Sequence, residues 1–228
     1  MTFIELGEVL KKYGLECDST SLHLLESYMH YVLKKNEEIN LTAIKDEDEF
    51  MMRMIVDSAL PLRLTDFNNK KVLDIGTGAG YPGTVIATLT TADVDLLDST
   101  EKKLNVIIGF EGKQFNVIHA RAEEFAQGHR ETYDIVTARA VAQLSILLEL
   151  AIPLLKVNGY FVALKGPEAE EEIKASKNAL KKLHAVIEKM DKVTLPTGEE
   201  RINILIKKID TTNMKYPRSY SEIKKKPL

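Results

Sequence analysis

Hydrophobic positions along the chain change rhythm once. Up to residue 66 they recur at helical spacing, and from Lys71 onward short apolar runs alternate with amphipathic stretches. Leu6, Val9, Leu10 and Tyr13 share one face of a helix predicted over 2–14, with Thr2 and Glu5 at capping-box spacing and Gly14 as its C-cap. Leu22, Leu25, Met29, Val32 and Leu33 stripe a second helix over 20–35, and residues 36–42 break the pattern as a connection. A third helix starts near Asp46, again box-spaced to Glu49, and runs to residue 60, before Pro61 and the polar stretch 66–69.

The second texture predicts strands at 72–75, 94–97, 115–119, 133–138, 160–164, 186–193 and 202–208. Helices are predicted between them at 82–89, 100–110, 144–155 and 168–183. The last helix is acidic in its first half and basic in its second, which matches the helix dipole. Alternating strands and helices imply a mostly parallel sheet covered on both faces. No helix separates the last two strands, so they should form an antiparallel edge pair. The expected organisation is α/β: an N-terminal helical extension over 1–66, then a Rossmann-like domain over 67–228 with a basic tail.

Composition narrows the classes. In 228 residues with 44% hydrophobic positions there is material for a sizeable core, and a net charge of −3 does not advertise a nucleic-acid partner. The single cysteine, Cys17, excludes an internal disulfide and a cysteine-rich metal site, and it suits a reducing compartment. Glu5 and Glu8 interrupt any signal-peptide core, and no apolar run approaches the roughly 18 residues of a membrane span. The expectation is a cytoplasmic monomer with no metal and no membrane contact.

The chemistry gathers around Val72–Gly83, which passes from an apolar run through Asp74 to Gly76, Gly78 and Gly80, then Tyr81-Pro82-Gly83. This reads as a buried strand, a tight turn and a helix start, with Pro82 suited to the first helical turn. Glycine lets a ligand approach the backbone closely, and the helix N-terminus adds amide donors. Ligands of open α/β sheets bind at the carboxyl ends of the strands. That selects Asp74 with the glycines, Asp98, Arg121-Ala122-Glu123, Arg139 and Lys165. Asp98, 20 residues after Gly78, can accept both hydroxyls of a ribose.

Two ligands fit such a turn, a nicotinamide dinucleotide and S-adenosylmethionine. Gly78, Gly80 and Gly83 match G-x-G-x-x-G literally. Asp74 would face a pyrophosphate badly but could hold a cationic amino-acid moiety, and no second domain remains for a hydride acceptor. Both points, with the antiparallel terminal pair, favour the methyl donor. Among acceptors, a cytosine-C5 enzyme needs a nucleophilic cysteine near the cofactor, which Cys17 is badly placed to be. Enzymes acting on exocyclic amines usually carry an Asp/Asn-Pro-Pro-aromatic loop, where this chain has Thr137-Ala138-Arg139-Ala140. A ring nitrogen such as guanine N7 needs neither, and positioning would supply most of the rate.

In this order, Asn40-Leu41-Thr42-Ala43-Ile44, Asp57-Ser58, Asp74–Gly83, Leu97-Asp98-Ser99, Arg121–Glu124, Tyr133–Ala142, Leu164-Lys165-Gly166 and Tyr216-Pro217-Arg218 resemble the RsmG (GidB) family of bacterial 16S rRNA guanine-N7 methyltransferases. The resemblance covers nearly the whole chain. It implies a class I S-adenosylmethionine-dependent fold and methylation of N7 of one guanine in the 530 loop of small-subunit rRNA. It also implies that Gly76, Tyr81, Ala122, Glu123 and Arg139 line the cofactor site, and that Arg121, Arg139, Arg201 and Asn40 are candidates for RNA or catalytic contacts. Two departures stand out. Met54 replaces the histidine of the family's Arg-His-x-x-Asp-Ser pattern, and Ser221 and Ile223 stand where a glycine and a proline usually follow Tyr-Pro-Arg.

Plainer roles stay open beside these. Tyr81 could pack under the turn, Arg139 could cap a helix, Arg121 could make a surface ion pair, Lys165 could be a solvated strand end, and Asn40 could bond its own backbone. The segment 201–228 holds eight lysines and arginines against two acids. Arg201, Lys165, Lys215 and Arg218 are accordingly candidates for rRNA contact, with a solvated, frayed terminus as the alternative for the tail. At the level of function the alternatives are a small-molecule methyltransferase and a non-catalytic nucleotide-binding regulatory module.

Overall fold

A computed structural model describes residues 1–228. Helix α1 (Phe3–Lys12) starts with the expected capping box: Thr2 Oγ1 accepts the Glu5 amide at 3.2 Å, and Glu5 accepts the Thr2 amide at 2.6 Å. Helix α2 (Ser19–Ile39) begins at Asp18, whose carboxylate accepts the Ser21 amide at 2.7 Å. It runs four residues past the predicted end. Buried Asn36 accounts for this, because its carboxamide accepts the amides of Leu41 and Thr42 and donates to the Thr42 carbonyl, so the helix end and the following turn are one hydrogen-bonded unit.

The third helical stretch is composite. It passes from α3 (Glu47–Phe50) through a π-helical turn (Met51–Val56) into α4 (Asp57–Ala59), and closes with a 3-10 turn at Leu60–Arg63. Such wide turns are often found at functional sites, and this one carries Arg53 and Met54.

The sheet contains β1 (Lys71–Ile75), β2 (Asp93–Asp98), β3 (Asn116–His119), β4 (Tyr133–Arg139), β5 (Leu155–Lys165), β6 (Ala185–Thr194) and β7 (Glu200–Lys208). Their spatial order is β3-β2-β1-β4-β5-β7-β6. The first five strands are parallel, and β7 lies antiparallel between β5 and β6. The expected antiparallel pair is present, with the last strand inserted inside the penultimate one. Strand order reverses at β1, so the ends of β1, β2 and β4 share one rim.

Helices α5 (Gly83–Leu89) and α6 (Glu101–Ile108) cover one face. The other is covered by α7 (Ala122–Gly128), α8 (Leu144–Ala151), α9 (Ala169–Ala175), α10 (Lys177–Lys182) and α11 (Tyr220–Lys225). The helix predicted over 168–183 is divided at Ser176, whose hydroxyl donates to the Glu172 carbonyl at 2.7 Å, a local bond that bends helices. The N-terminal helices are not peripheral. Leu6, Leu10, Tyr28, Met29 and Phe50 share a core with Tyr81 and Val85 near the glycine turn, and with Val106 and Phe110.

Candidate active site

At the end of β1 the backbone turns sharply, and the amides of Gly76 and Thr77 both donate to the Leu97 carbonyl of β2, at 2.7 and 3.1 Å. Gly76 has φ +69°, and a Cβ there would lie 2.5 Å from Val141 of the loop after β4. Only glycine lets that loop come so close. Gly78 has φ +60° and open space where a Cβ would point, while its amide donates to Asp98 Oδ2 at 2.9 Å. Asp98 Oδ1 accepts the Thr100 amide at 2.8 Å. The turn and the carboxylate at the end of β2 are thereby locked together.

Beside them lies a cavity of about 360 Å³, lined among others by Gly76, Asp98, Ala122, Glu123 and Tyr220. That volume is within the roughly 300–1,000 Å³ of small-molecule sites. The cavity also takes in Arg121, whose Nε donates to Glu123 at 2.5 Å and whose guanidinium lies 4.8 Å from the centre of the Tyr220 ring. Arg121 thus stands on the wall of this cavity, with its side chain still about half exposed, and it does not line the cavity where Arg139 lies.

A second cavity, of about 620 Å³, lies on the other side of the loop after β4. Arg53, Arg139, Lys165 and Arg201 line it, with Met54, Asp57 and Glu172. Arg139 donates to the Arg53 carbonyl at 3.0 Å, to Asp57 Oδ2 at 3.4 Å and to the Met54 sulfur at 3.3 Å, and its guanidinium is 6.0 Å from the Tyr81 ring centre. Met54 thus fills the family's histidine position as a soft acceptor for Arg139. Arg201 meets the other Asp57 oxygen at 3.2 Å. One buried carboxylate shared by two guanidiniums leaves one positive charge unneutralised on this wall, which favours an anionic group there.

The two cavities share Ala140 and Val141. Ala140 is held at φ +53°, a strained conformation for a residue with a side chain. The loop is latched from behind. Buried Lys165 donates to the Ala142 carbonyl and to Glu172, both at 2.7 Å, and Glu172 accepts the Leu144 amide at 2.5 Å. Lys165 is therefore neither a solvated strand end nor a free cation for RNA; it holds the partition between the cavities.

Several sequence assignments move. Asp74 lies beneath the turn, fully buried, with Oδ2 accepting the Gly83 amide and Oδ1 the Thr137 hydroxyl, each at 2.9 Å. It shapes the turn and does not face the cavity. Gly80 also points away, under Thr84 and the Tyr28 hydroxyl. Tyr81 is buried between Phe50 and Tyr28, and burial raises its phenol far above the ordinary value. Asn40 caps α2 in the left-handed conformation and lines a separate cleft with His30 and Lys45, so it stands outside both of these cavities. Arg218 grips fully buried Glu149 through Nε at 2.8 Å and Nη2 at 2.6 Å, which removes it from the RNA-contact set. Lys215 remains exposed, its amine 5.1 Å from the Tyr216 ring centre. The sequence reading missed Arg53, Asp57 and Val141 as cavity residues. Asp57 had one signal, its place in the quoted Asp57-Ser58 motif. Tyr220 was missed too, although Ser219 and Glu222 give it a capping-box frame.

Burial pushes the Asp74 carboxyl from its ordinary 3.8 up to about 6, against the pull of its hydrogen bonds. A carboxyl with a raised folded-state pKa binds its proton more tightly folded than unfolded. Its contribution therefore favours the fold below pH 3.8 and is lost as pH rises through about 6. The Asp74→Asn variant keeps the shape without the buried charge: its Oδ1 can accept the Gly83 amide while its Nδ2 donates to the Thr137 hydroxyl, which reverses that second bond. Between about pH 4 and pH 7 it should gain about 3 kcal/mol of stability relative to wild type. Urea unfolding at a series of pH values reads this directly, and a constant offset would contradict it.

A 3-2-1-4-5-7-6 sheet with an antiparallel β7, and a carboxylate at the end of β2 facing a glycine turn, define a class I S-adenosylmethionine-dependent methyltransferase. The residues fit that donor: open space beside Gly78 admits it, and Asp98 offers a carboxylate for its ribose. The 1,6-didemethyltoxoflavin-N1-methyltransferase of Burkholderia thailandensis, solved with S-adenosylhomocysteine bound, has the same fold. Its TM-score is 0.56 at 15% identity, over 82% of this chain and 90% of its own. The family model described as rRNA small subunit methyltransferase G (GidB) matches residues 21–202. The ribosomal RNA small subunit methyltransferase G of Lactobacillus delbrueckii subsp. bulgaricus is 39% identical over 97% of this chain and 98% of its own length. The protein of that name from Clostridium botulinum is 38% identical over 94% of each. The chain belongs to this family. No helix is long and apolar enough to cross a membrane.

Proposed function

We propose that this chain methylates N7 of a guanine in the 530 loop of 16S rRNA, acting as a cytoplasmic monomer on the small ribosomal subunit. The observation that carries the reading is the pair of cavities meeting at Ala140 and Val141, one closed by Asp98 and the other lined by arginines. S-Adenosylmethionine supplies an electrophilic methyl group, which the guanine N7 lone pair can take without prior deprotonation.

The chain's own residues then have three tasks. Asp98 and the Gly76–Gly78 backbone hold the donor. Arg139 and Arg201, which share the one carboxylate of Asp57, present positive charge to the RNA, while Arg53, tied to Glu49 and Glu199, shapes the wall beside them. The Lys165–Glu172 latch fixes the partition so that the reacting atoms meet in line. No nucleophile is required, and Cys17 does not offer one. It sits in the N-terminal core, where burial pushes its thiol up to about 11. The acceptor base comes from an exposed loop, as is usual in RNA recognition, and it leaves its stack to reach the donor.

Incubation with labelled donor and undermethylated small subunits, followed by chemical cleavage at N7-methylguanine, tests the proposal. Label at a single guanine of the 530 loop is the expected result. Label elsewhere in the RNA contradicts the assignment. RNA-independent turnover would point to a small-molecule enzyme, and donor binding without any transfer to a regulatory module.

A further inference from the structure

The donor cavity crosses the sheet rim strand by strand, with Gly76 at the end of β1, Asp98 at the end of β2 and Ala122 just past β3. A donor with its ribose on Asp98 would have the β3 end of this cavity, beside Ala120 and Ala122, for its adenine. At that end the wall is shared between the start of α7, with Arg121, Ala122 and Glu123, and the C-terminal segment, which contributes Tyr220. The ring is backed by the Arg121 guanidinium at 4.8 Å, and that guanidinium is fixed in turn by Glu123.

The segment is strapped down around this residue. Arg218 binds buried Glu149, Arg130 donates to the carbonyls of Tyr216 and Thr212 at 2.5 and 2.7 Å, and Ile223 is fully buried. Ser219 and Glu222 close a capping box that starts α11 at Tyr220. This helical turn falls where the family's tail usually has a glycine and a proline, which would not favour it.

From this arrangement we propose that Tyr220 is a donor-site residue of this chain, an aromatic wall against which the adenine of the methyl donor packs. The inference rests on the donor cavity assigned above. Arg121 lies over the ring and acts through it, the hydrophobic core on which the ring packs holds it in place, and the part of Tyr220 that lines the cavity is the surface offered to the base. An aromatic face suits this task because a purine stacks on it without needing hydrogen-bond partners.

The chain contains no tryptophan, so the Tyr220→Trp variant carries a single fluorescent reporter at the proposed wall. Titration with S-adenosylhomocysteine should shift its emission and saturate at the Kd found by calorimetry. Tyr220→Phe should bind within twofold of wild type, and Tyr220→Leu, which fills space without an aromatic face, about tenfold more weakly. Adenosine alone should show the same ratio. If wild type binds S-adenosylhomocysteine while Tyr220→Leu matches it, or the tryptophan emission is unmoved at saturation, the role of Tyr220 is overturned. If wild type itself does not bind, the donor cavity is wrongly assigned.

Discussion

Replacing Arg218 with alanine should lower the unfolding free energy by about 3–5 kcal/mol, the usual cost of removing one partner from a buried ion pair. Glu149 is fully buried on α8, and Arg218 meets it with its main-chain amide at 3.0 Å as well as with both faces of the guanidinium fork. Without Arg218 the carboxylate either keeps an uncompensated charge or takes up a proton, and α11 loses its anchor. Arg218→Lys should be intermediate, because an ammonium cannot make the paired contacts. The double replacement Glu149→Leu with Arg218→Met should recover much of the loss, since no buried charge is then stranded. Urea unfolding of the four proteins reads the series. A loss below about 1 kcal/mol for Arg218→Ala would mark the pair as an ordinary exposed one.

The same pair shows where sequence reading stops. Arg218 and Glu149 are 69 residues apart, and nothing local distinguishes a lysine- and arginine-rich tail that contacts phosphates from one that is pinned to the core. Lys208 was part of the same count and proves fully buried, bonded to the Leu155 carbonyl and Glu131. By contrast, the strand–turn–helix at Val72–Gly83 and the carboxylate at Asp98 were legible, because their signals are local: an apolar run, glycines at fixed spacing and a strand end.

Asp74 and Tyr81 stood in the right motif but face the wrong way for a ligand. Register within the turn decides this, and Thr137 and Phe50, which receive them, come from distant segments. Asn36 and Ser176 changed helix boundaries through single side-chain bonds that propensity does not register. The partition latch was visible only as a lysine at a strand end, because its partners Ala142 and Glu172 lie on separate loops and helices.

The division of labour between the two cavities is the centre of this account, and Asp98 offers the sharpest test of it. Hydrogen bonds to a charged group are worth about 1.5–3 kcal/mol each. In the ligand-free geometry Asp98 already bonds the amides of Gly78 and Thr100, so part of the gain is offset. Asp98→Ala should therefore weaken S-adenosylhomocysteine binding about 100-fold, or about 2.7 kcal/mol. Arg201 lies in the other cavity, so Arg201→Met should leave that affinity within twofold while methyl transfer to small subunits falls. Calorimetric titration of S-adenosylhomocysteine into wild type and both variants measures this. Loss in Asp98→Ala with retention in Arg201→Met is the predicted result. Equal affinities for wild type and Asp98→Ala, or loss in Arg201→Met instead, would contradict the assignment of the cavities.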